Sequence, residues 1–194
     1  MKTVWVKTVP WSKEIAMAAI ECGADALWIE PGKTQEVKKM GLIQTVAEDG
    51  DLKLGFDVVE KEIREKKDEE EIITLSLSKK VVVRDGDWKI IPLENLLSRT
   101  NNLFVEIDGV KEGQTALSVL EKGVDGVVIN NPDPNSVRHI IKALKESIEE
   151  AFQINSRNPP LIHHPPRTHS GATAGTIHGE KIYSSLRSEF HRPS

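Results

Sequence analysis

The chain contains a single cysteine, Cys22, among 194 residues. No internal disulfide can form, so the fold must rest on a packed core. A lone thiol suits a reducing compartment, and a cytoplasmic location is expected. No apolar run approaches the roughly 20 residues that span a bilayer, so no membrane association is expected. The first residues hold one lysine and then an alternating apolar stretch broken by Lys7 and Pro10, which is not the pattern of a signal peptide. Basic residues do not dominate: 26 Lys and Arg stand against 30 Asp and Glu, and a net charge of −4 provides no overall field for nucleic acid. No GxGxxG occurs, so the usual dinucleotide fingerprint is missing. The SGATAG of residues 170–175 shares only small residues with a phosphate loop, having no following Gly-Lys and no preceding strand. His163, His164 and His169 fit no zinc-ligand spacing. Cys22 falls in the last turn of an apolar helix face, where a small core residue is a better reading than a low-pKa nucleophile.

What is present is a chain with 38% hydrophobic and 29% charged residues, enough for one globular domain with a sizeable core. The charge is unevenly spread. Residues 1–150 hold 28 acidic and 21 basic residues, whereas residues 151–194 hold 2 and 5. Five of the six histidines and five of the ten prolines also lie in that last stretch. The composition predicts an α/β domain over residues 1–152 and a Pro/His/Ser-rich, disordered tail over 153–194.

Within the first part, residues 2–9 (KTVWVKTV) read as a strand and residues 12–22 as a helix, with Ser12 as N-cap and Gly23 as the stop. Ala26 to Ile29 is a second strand. The same wording returns a hundred residues later. AAIECGADALWIE (18–30) aligns with SVLEKGVDGVVIN (118–130), each running helix, glycine stop, aspartate, strand. Asp25 and Asp125 hold equivalent places, which points to architecture: turn aspartates bond backbone amides. Further strands are predicted at 42–47, 55–59, 80–84, 103–107 and 124–129. Helices are predicted at 113–122 and 136–150, and the charged stretch 60–71 reads as a solvated helix face. Short apolar strands without strict alternation are typical of a parallel sheet buried on both faces. The expectation is a mainly parallel sheet of about six strands, seven at most, with flanking helices. It would be a partial β/α barrel, short of eight strands.

In such folds ligands bind at the C-terminal ends of the strands. Glu30 and Asn130 end their strands, and Asp108 follows 103–107. The densest polar cluster follows the strand at 80–84: Asp85, Asp87, Trp88, Glu94 and Asn95. Carboxylates and an amide there could act as base, proton donor and orienting group. The plainer reading, turn formers and a helix N-terminus, is about equally well supported by the residues alone. A barrel aldolase would instead need a Schiff-base lysine at a strand end. Lys7 lies inside its strand and Lys80 begins another, so neither is expected to serve.

The block DWKIIPLENLL (87–97) resembles the archaeal-type, or type II, 3-dehydroquinate synthase family. TVWVKT (3–8), KDEEEI (67–72) and LEKGVDGVVINNP (120–132) fit the same resemblance, which covers about residues 1–150. It implies an NAD-dependent enzyme of aromatic amino-acid biosynthesis. Such an enzyme oxidatively deaminates 2-amino-3,7-dideoxy-D-threo-hept-6-ulosonate and closes the product to 3-dehydroquinate. The implied partner is that small amino-keto sugar acid, and the implied cofactor is NAD. Asp87 or Glu94 would be the base and Asn95 an orienting group, with Asp85, Trp88, Glu30, Asp108 and Asn130 contacting substrate. Family members continue with a second, β-rich portion that nothing after residue 152 resembles. Two readings therefore stay open: an active enzyme, and a truncated, non-catalytic remnant or binding module. Oligomeric state is not legible.

Overall fold

Residues Thr3–Thr8 (TVWVKT) form strand β1, and Ser12 then starts helix α1 (Lys13–Glu21) by accepting a hydrogen bond from the Ile15 amide at 3.3 Å. Gly23, at φ +74°, turns the chain out of that helix in a conformation that costs other residues strain. In this computed structural model residues 2–84, 93–119 and 122–157 are described. The chain divides into the units Met1–Pro159 and Pro160–Ser194; everything described belongs to the first. Of the expected tail, residues 153–157 instead belong to the last helix, which ends at Arg157, and residues 158–194 lie outside the described residues.

The order continues β2 (Ala26–Ile29), α2 (Thr34–Met40), β3 (Gln44–Ala47), β4 (Leu52–Lys53), β5 (Val58–Lys61), α3 (Lys66–Ser76), β6 (Lys80–Val83), α4 (Leu93–Leu97), β7 (Leu103–Ile107), α5 (Val110–Ser118), β8 (Gly126–Ile129) and α6 (Pro134–Arg157). The strands form one sheet in the order β4-β3-β2-β1-β8-β7-β6-β5. Every ladder in it is parallel. A single parallel bridge, Leu54 to Val58, joins its two edges, so the sheet is a nearly closed eight-stranded barrel.

The expectation of about six strands is therefore corrected to eight. The added strand is β4, and the strand expected at 55–59 is β5, shifted toward its C-terminal side. The charged stretch 60–71 is not one helix: Val58–Lys61 is strand β5, and α3 starts only at Lys66. Glu60 and Lys61 look solvated in sequence, yet Glu60 faces the barrel interior, where Lys7 is its partner, and Lys61 faces outward to Glu71 of α3. Strand β4 is only two residues long and follows β3 through the Asp49-Gly50-Asp51 turn without a helix, too short to leave a period. Helix α2 is likewise short and polar, with only Thr34 and Val37 buried.

Burial follows the two-residue period of a strand. Val4, Val6, Leu27, Ile29, Val81, Val83, Val105, Ile107, Val127 and Ile129 face outward into a layer shared with α1, α5 and α6. From α6, Val137, Ile140, Ile141 and Leu144 complete that layer at helical spacing. The alternate set, Trp5, Ala26, Trp28, Val46, Val58, Val82, Phe104 and Val128, packs together as the barrel interior. Trp5 and Phe104 pack with ring centroids 4.4 Å apart and planes tilted by 36° within this interior.

The repeated aspartates behave alike. Asp25 accepts the Val4 amide of neighbouring β1 at 2.7 Å, and Asp125 accepts the Leu103 amide of neighbouring β7 at 3.0 Å. Each ties the start of one strand to the next. Gly123 repeats Gly23 with φ +60°. Glu121, which belongs to the same alignment, lies outside the described residues.

Candidate active site

The interior period runs past the apolar layer into charge. Two residues beyond Trp5 stands Lys7, two beyond Val58 stands Glu60, two beyond Val82 stands Arg84, two beyond Phe104 stands Glu106, and two beyond Val128 stands Asn130. All five lie in the C-terminal half of their strands or just past them, so they meet at the barrel mouth. Lys7 Nζ donates to Glu60 Oε1 at 2.6 Å and to Glu106 Oε2 at 2.9 Å. Asn130 Nδ2 donates to the other oxygen of Glu106 at 2.7 Å. Arg84 lies 3.4 Å from Glu60 Oε2. Lys7 Nζ also stands 4.9 Å from the Trp28 ring centroid, a cation–π contact.

Lys7 is 9% exposed and Glu106 4% exposed, so this pair is held away from water. Removing an ammonium and a carboxylate from water costs several kcal/mol each unless they are paired and hydrogen-bonded. Here each is paired, and the remaining carboxylate oxygen is bonded by Asn130. A buried, hydrogen-bonded amine between two carboxylates is equipped to move protons or to engage a carbonyl carbon, since donor and acceptors already lie within transfer distance.

The sequence-predicted residues fall into three groups. Asn130 belongs to the cluster, through Glu106. Glu30 and Asp108 share the interior period at the same rim, two residues past Trp28 and Glu106. Glu30 is half-buried, its carbonyl accepting the Lys33 amide at 3.3 Å. The Asp108 carbonyl accepts from Asn131 Nδ2 at 3.0 Å. Glu94 and Asn95 are exposed in the first turn of α4, ahead of buried Leu96 and Leu97. Asp85, Asp87 and Trp88 lie outside the described residues.

Sequence reasoning missed Lys7, Glu60 and Glu106. It looked for polar residues just past each strand, whereas these lie inside strands. Lys7, set aside as a Schiff-base lysine because it lies within β1, has its ammonium inside the barrel, between Glu60 and Glu106. The signal was present. Lys7 follows Trp5, and Glu106 follows Phe104, at the two-residue period of strands that are otherwise apolar, and a buried charge there must have a partner.

A second concavity, about 1090 Å³, lies between α5 and α6 and is lined by Lys2, Leu117, Val124, Asp125, Ile148 and Phe152 among others. It opens at the N-terminal end of the strands, the face of such barrels that carries stability rather than chemistry. Among the described residues no group of His, Cys, Asp and Glu could hold a metal ion, and no helix is long and apolar enough to cross a membrane.

Fold and site together define a β/α-barrel protein whose interior ends in a buried lysine–carboxylate cluster at the C-terminal mouth. A solved structure of phosphoribosylanthranilate isomerase from Thermotoga maritima shares the fold, with a TM-score of 0.55 and 13% identity over 75% of this chain and all of that one. The family model of the 3-dehydroquinate synthase II N-terminal domain matches residues 1–144. The chain belongs to the 3-dehydroquinate synthase II family. The 3-dehydroquinate synthase of Methanoculleus marisnigri is 43% identical over 144 residues, covering 74% of this chain and 43% of that protein. The 3-dehydroquinate synthase homolog of Aquifex aeolicus is 42% identical over 151 residues, covering 77% of this chain and 46% of that protein. The chain thus spans less than half the length of these two relatives.

Proposed function

We propose that this chain carries the barrel part of a type II 3-dehydroquinate synthase. The reaction is oxidative deamination of 2-amino-3,7-dideoxy-D-threo-hept-6-ulosonate with NAD, then ring closure to 3-dehydroquinate. The observation that carries this reading is the family match over residues 1–144. The chemistry suits the barrel mouth: a proton must leave a carbon next to a ketone, and a developing alkoxide must be protonated. Lys7, Glu60 and Glu106 supply an ammonium and two carboxylates within hydrogen-bond distance of one another.

NAD carries a pyrophosphate, which helix N-termini commonly hold. At the mouth those of α1, α3 and α6 are already occupied by Ser12, by Glu65 with Asp68, and by Asp133, whereas those of α5, preceded by Gly109, and of the short α2 carry no side-chain cap. The charged cluster of the barrel is given the proton and carbonyl chemistry. NAD would supply the oxidation that frees the amine when bound. Asp87 and Glu94 remain candidate bases, Asn95 a candidate orienting group, and Asp85, Trp88, Glu30, Asp108 and Asn130 candidate substrate contacts.

The test is to mix the purified chain with NAD and the amino-keto acid and to follow NADH and ammonia. Both should rise together and in equal amount. A folded chain that yields neither would leave the second reading, a non-catalytic binding module. Asp87→Asn and Glu94→Gln should each slow turnover; unchanged rates in both would remove those two candidates.

A further inference from the structure

The geometry points to Lys7 as a covalent catalyst: its ε-amine condenses with the ketone of the substrate to form an imine at the barrel mouth. This rests on the reading that the site takes a ketone-bearing acid, and it assigns the carbonyl a specific partner. Three observations carry it. Lys7 is buried at the C-terminal end of β1, where barrel sites lie, yet its ammonium faces the interior rather than a helix. Two carboxylates touch it from strands β5 and β7, which gives the amine proton two acceptors at 2.6 and 2.9 Å. The Trp28 ring on the far side and the Asn130 bond to Glu106 fix both partners in place.

The steps balance. A proton passes from Nζ to Glu106 or Glu60, and the freed amine attacks the ketone carbon. The carbon–oxygen bond breaks as water leaves with the ketone oxygen, giving a protonated C=N bond. A carboxylate then takes a proton from the adjacent methyl carbon, and the C–H electrons form the enamine. That carbon attacks the carbonyl produced by deamination. The new C–C bond closes the ring, and the resulting alkoxide takes the proton from the carboxylic acid. Water hydrolyses the iminium, which restores Lys7 and returns the ring ketone. No oxidant enters any of these steps, so they are separable from NAD.

That separation defines the test. The full chain is incubated without NAD, with hydroxyacetone or with the amino-keto acid, in the presence of cyanoborohydride. Hydroxyacetone carries the same methyl ketone beside a hydroxyl. Peptide mass mapping then locates reduced adducts. The expected result is one dominant site, Lys7, with at least a tenfold excess over every other lysine and with labelling abolished in Lys7→Arg. Because the wild-type map already names the lysine, the test stands even if the arginine variant fails to fold. No adduct, an adduct dominant at another lysine, or even labelling across all lysines would overturn the proposal. Trapping at Lys7 without NADH formation would remove the NAD reaction and leave the imine. NADH formation without trapping would do the reverse.

Discussion

Lys7 and Glu106 are 99 positions apart in the chain, yet Lys7 Nζ lies 2.9 Å from Glu106 Oε2. Their strands are not neighbours: β8 runs between β1 and β7, and the two side chains meet above Val128 inside the barrel. The pair is therefore a product of barrel curvature, which turns side chains on alternate strands toward one axis.

The first prediction follows from that burial. Lys7→Met should destabilise the chain by about 3 kcal/mol, because Glu106 would keep its charge with only Asn130 beside it. Adding Glu106→Leu should recover much of the loss, since an apolar pair fits the apolar layer below. Urea denaturation of the two single variants and the double variant measures the coupling. Strict additivity would show that the two residues do not act as a pair.

Gly126 sits where β8 passes the packed rings. A methyl group added there would fall 2.4 Å from Phe104 Cε1 and 2.6 Å from Thr3 Oγ1. Gly126→Ala should cost about 1–3 kcal/mol by overpacking, read as a lower melting temperature. An unchanged melting temperature would mean that the Trp5–Phe104 pair moves freely.

The paired aspartates should differ in weight. Asp25→Ala removes the bond from the Val4 amide and both contacts of Lys145, at 2.7 and 2.8 Å, which anchor α6. Asp125→Ala removes the bond from the Leu103 amide. Each loss of a partner to a part-buried amide is worth about 1–3 kcal/mol, and Asp25 should be the costlier. Thermal melts of both variants would decide; equal or reversed losses would contradict the assignment of Lys145 as an anchor.

Acid should weaken the barrel at named points. Lys38 and the Thr45 amide and hydroxyl hold the Asp51 carboxyl below its ordinary value of 3.8. The hydroxyl and amide of Ser136 do the same for Asp133 at the start of α6. The amides of Arg64 and Glu65 do so for Asp68 before α3. A carboxyl that is more acidic folded than unfolded contributes its full share above pH 3.8 and loses it as the pH falls through the lower folded value. Denaturation midpoints taken from pH 5 downward should fall, and Asp51→Asn should flatten part of that slope. An Asp51→Asn curve parallel to wild type would exclude this residue from the acid response.

Much of this was legible along the chain because it is local. Ser12 and Gly23 bracket α1 by capping chemistry, and the repeated glycine–aspartate–strand wording returned as two equivalent ties between neighbouring strands. The apolar strands announced a parallel sheet buried on both faces, and the DWKIIPLENLL block pointed to the family. Asn130, chosen because it ends a strand, does reach the cluster. The closure of the barrel was not legible. It depends on β4, two residues long, and on the single Leu54–Val58 bridge, neither of which leaves a period. Nor was the role of Lys7, Glu60 and Glu106. A charge within a strand has the same local propensity whether it meets solvent or a partner. Only curling the sheet brings three such residues, from β1, β5 and β7, to one axis, and long-range packing decides that step because no stretch of neighbouring residues contains more than one of them.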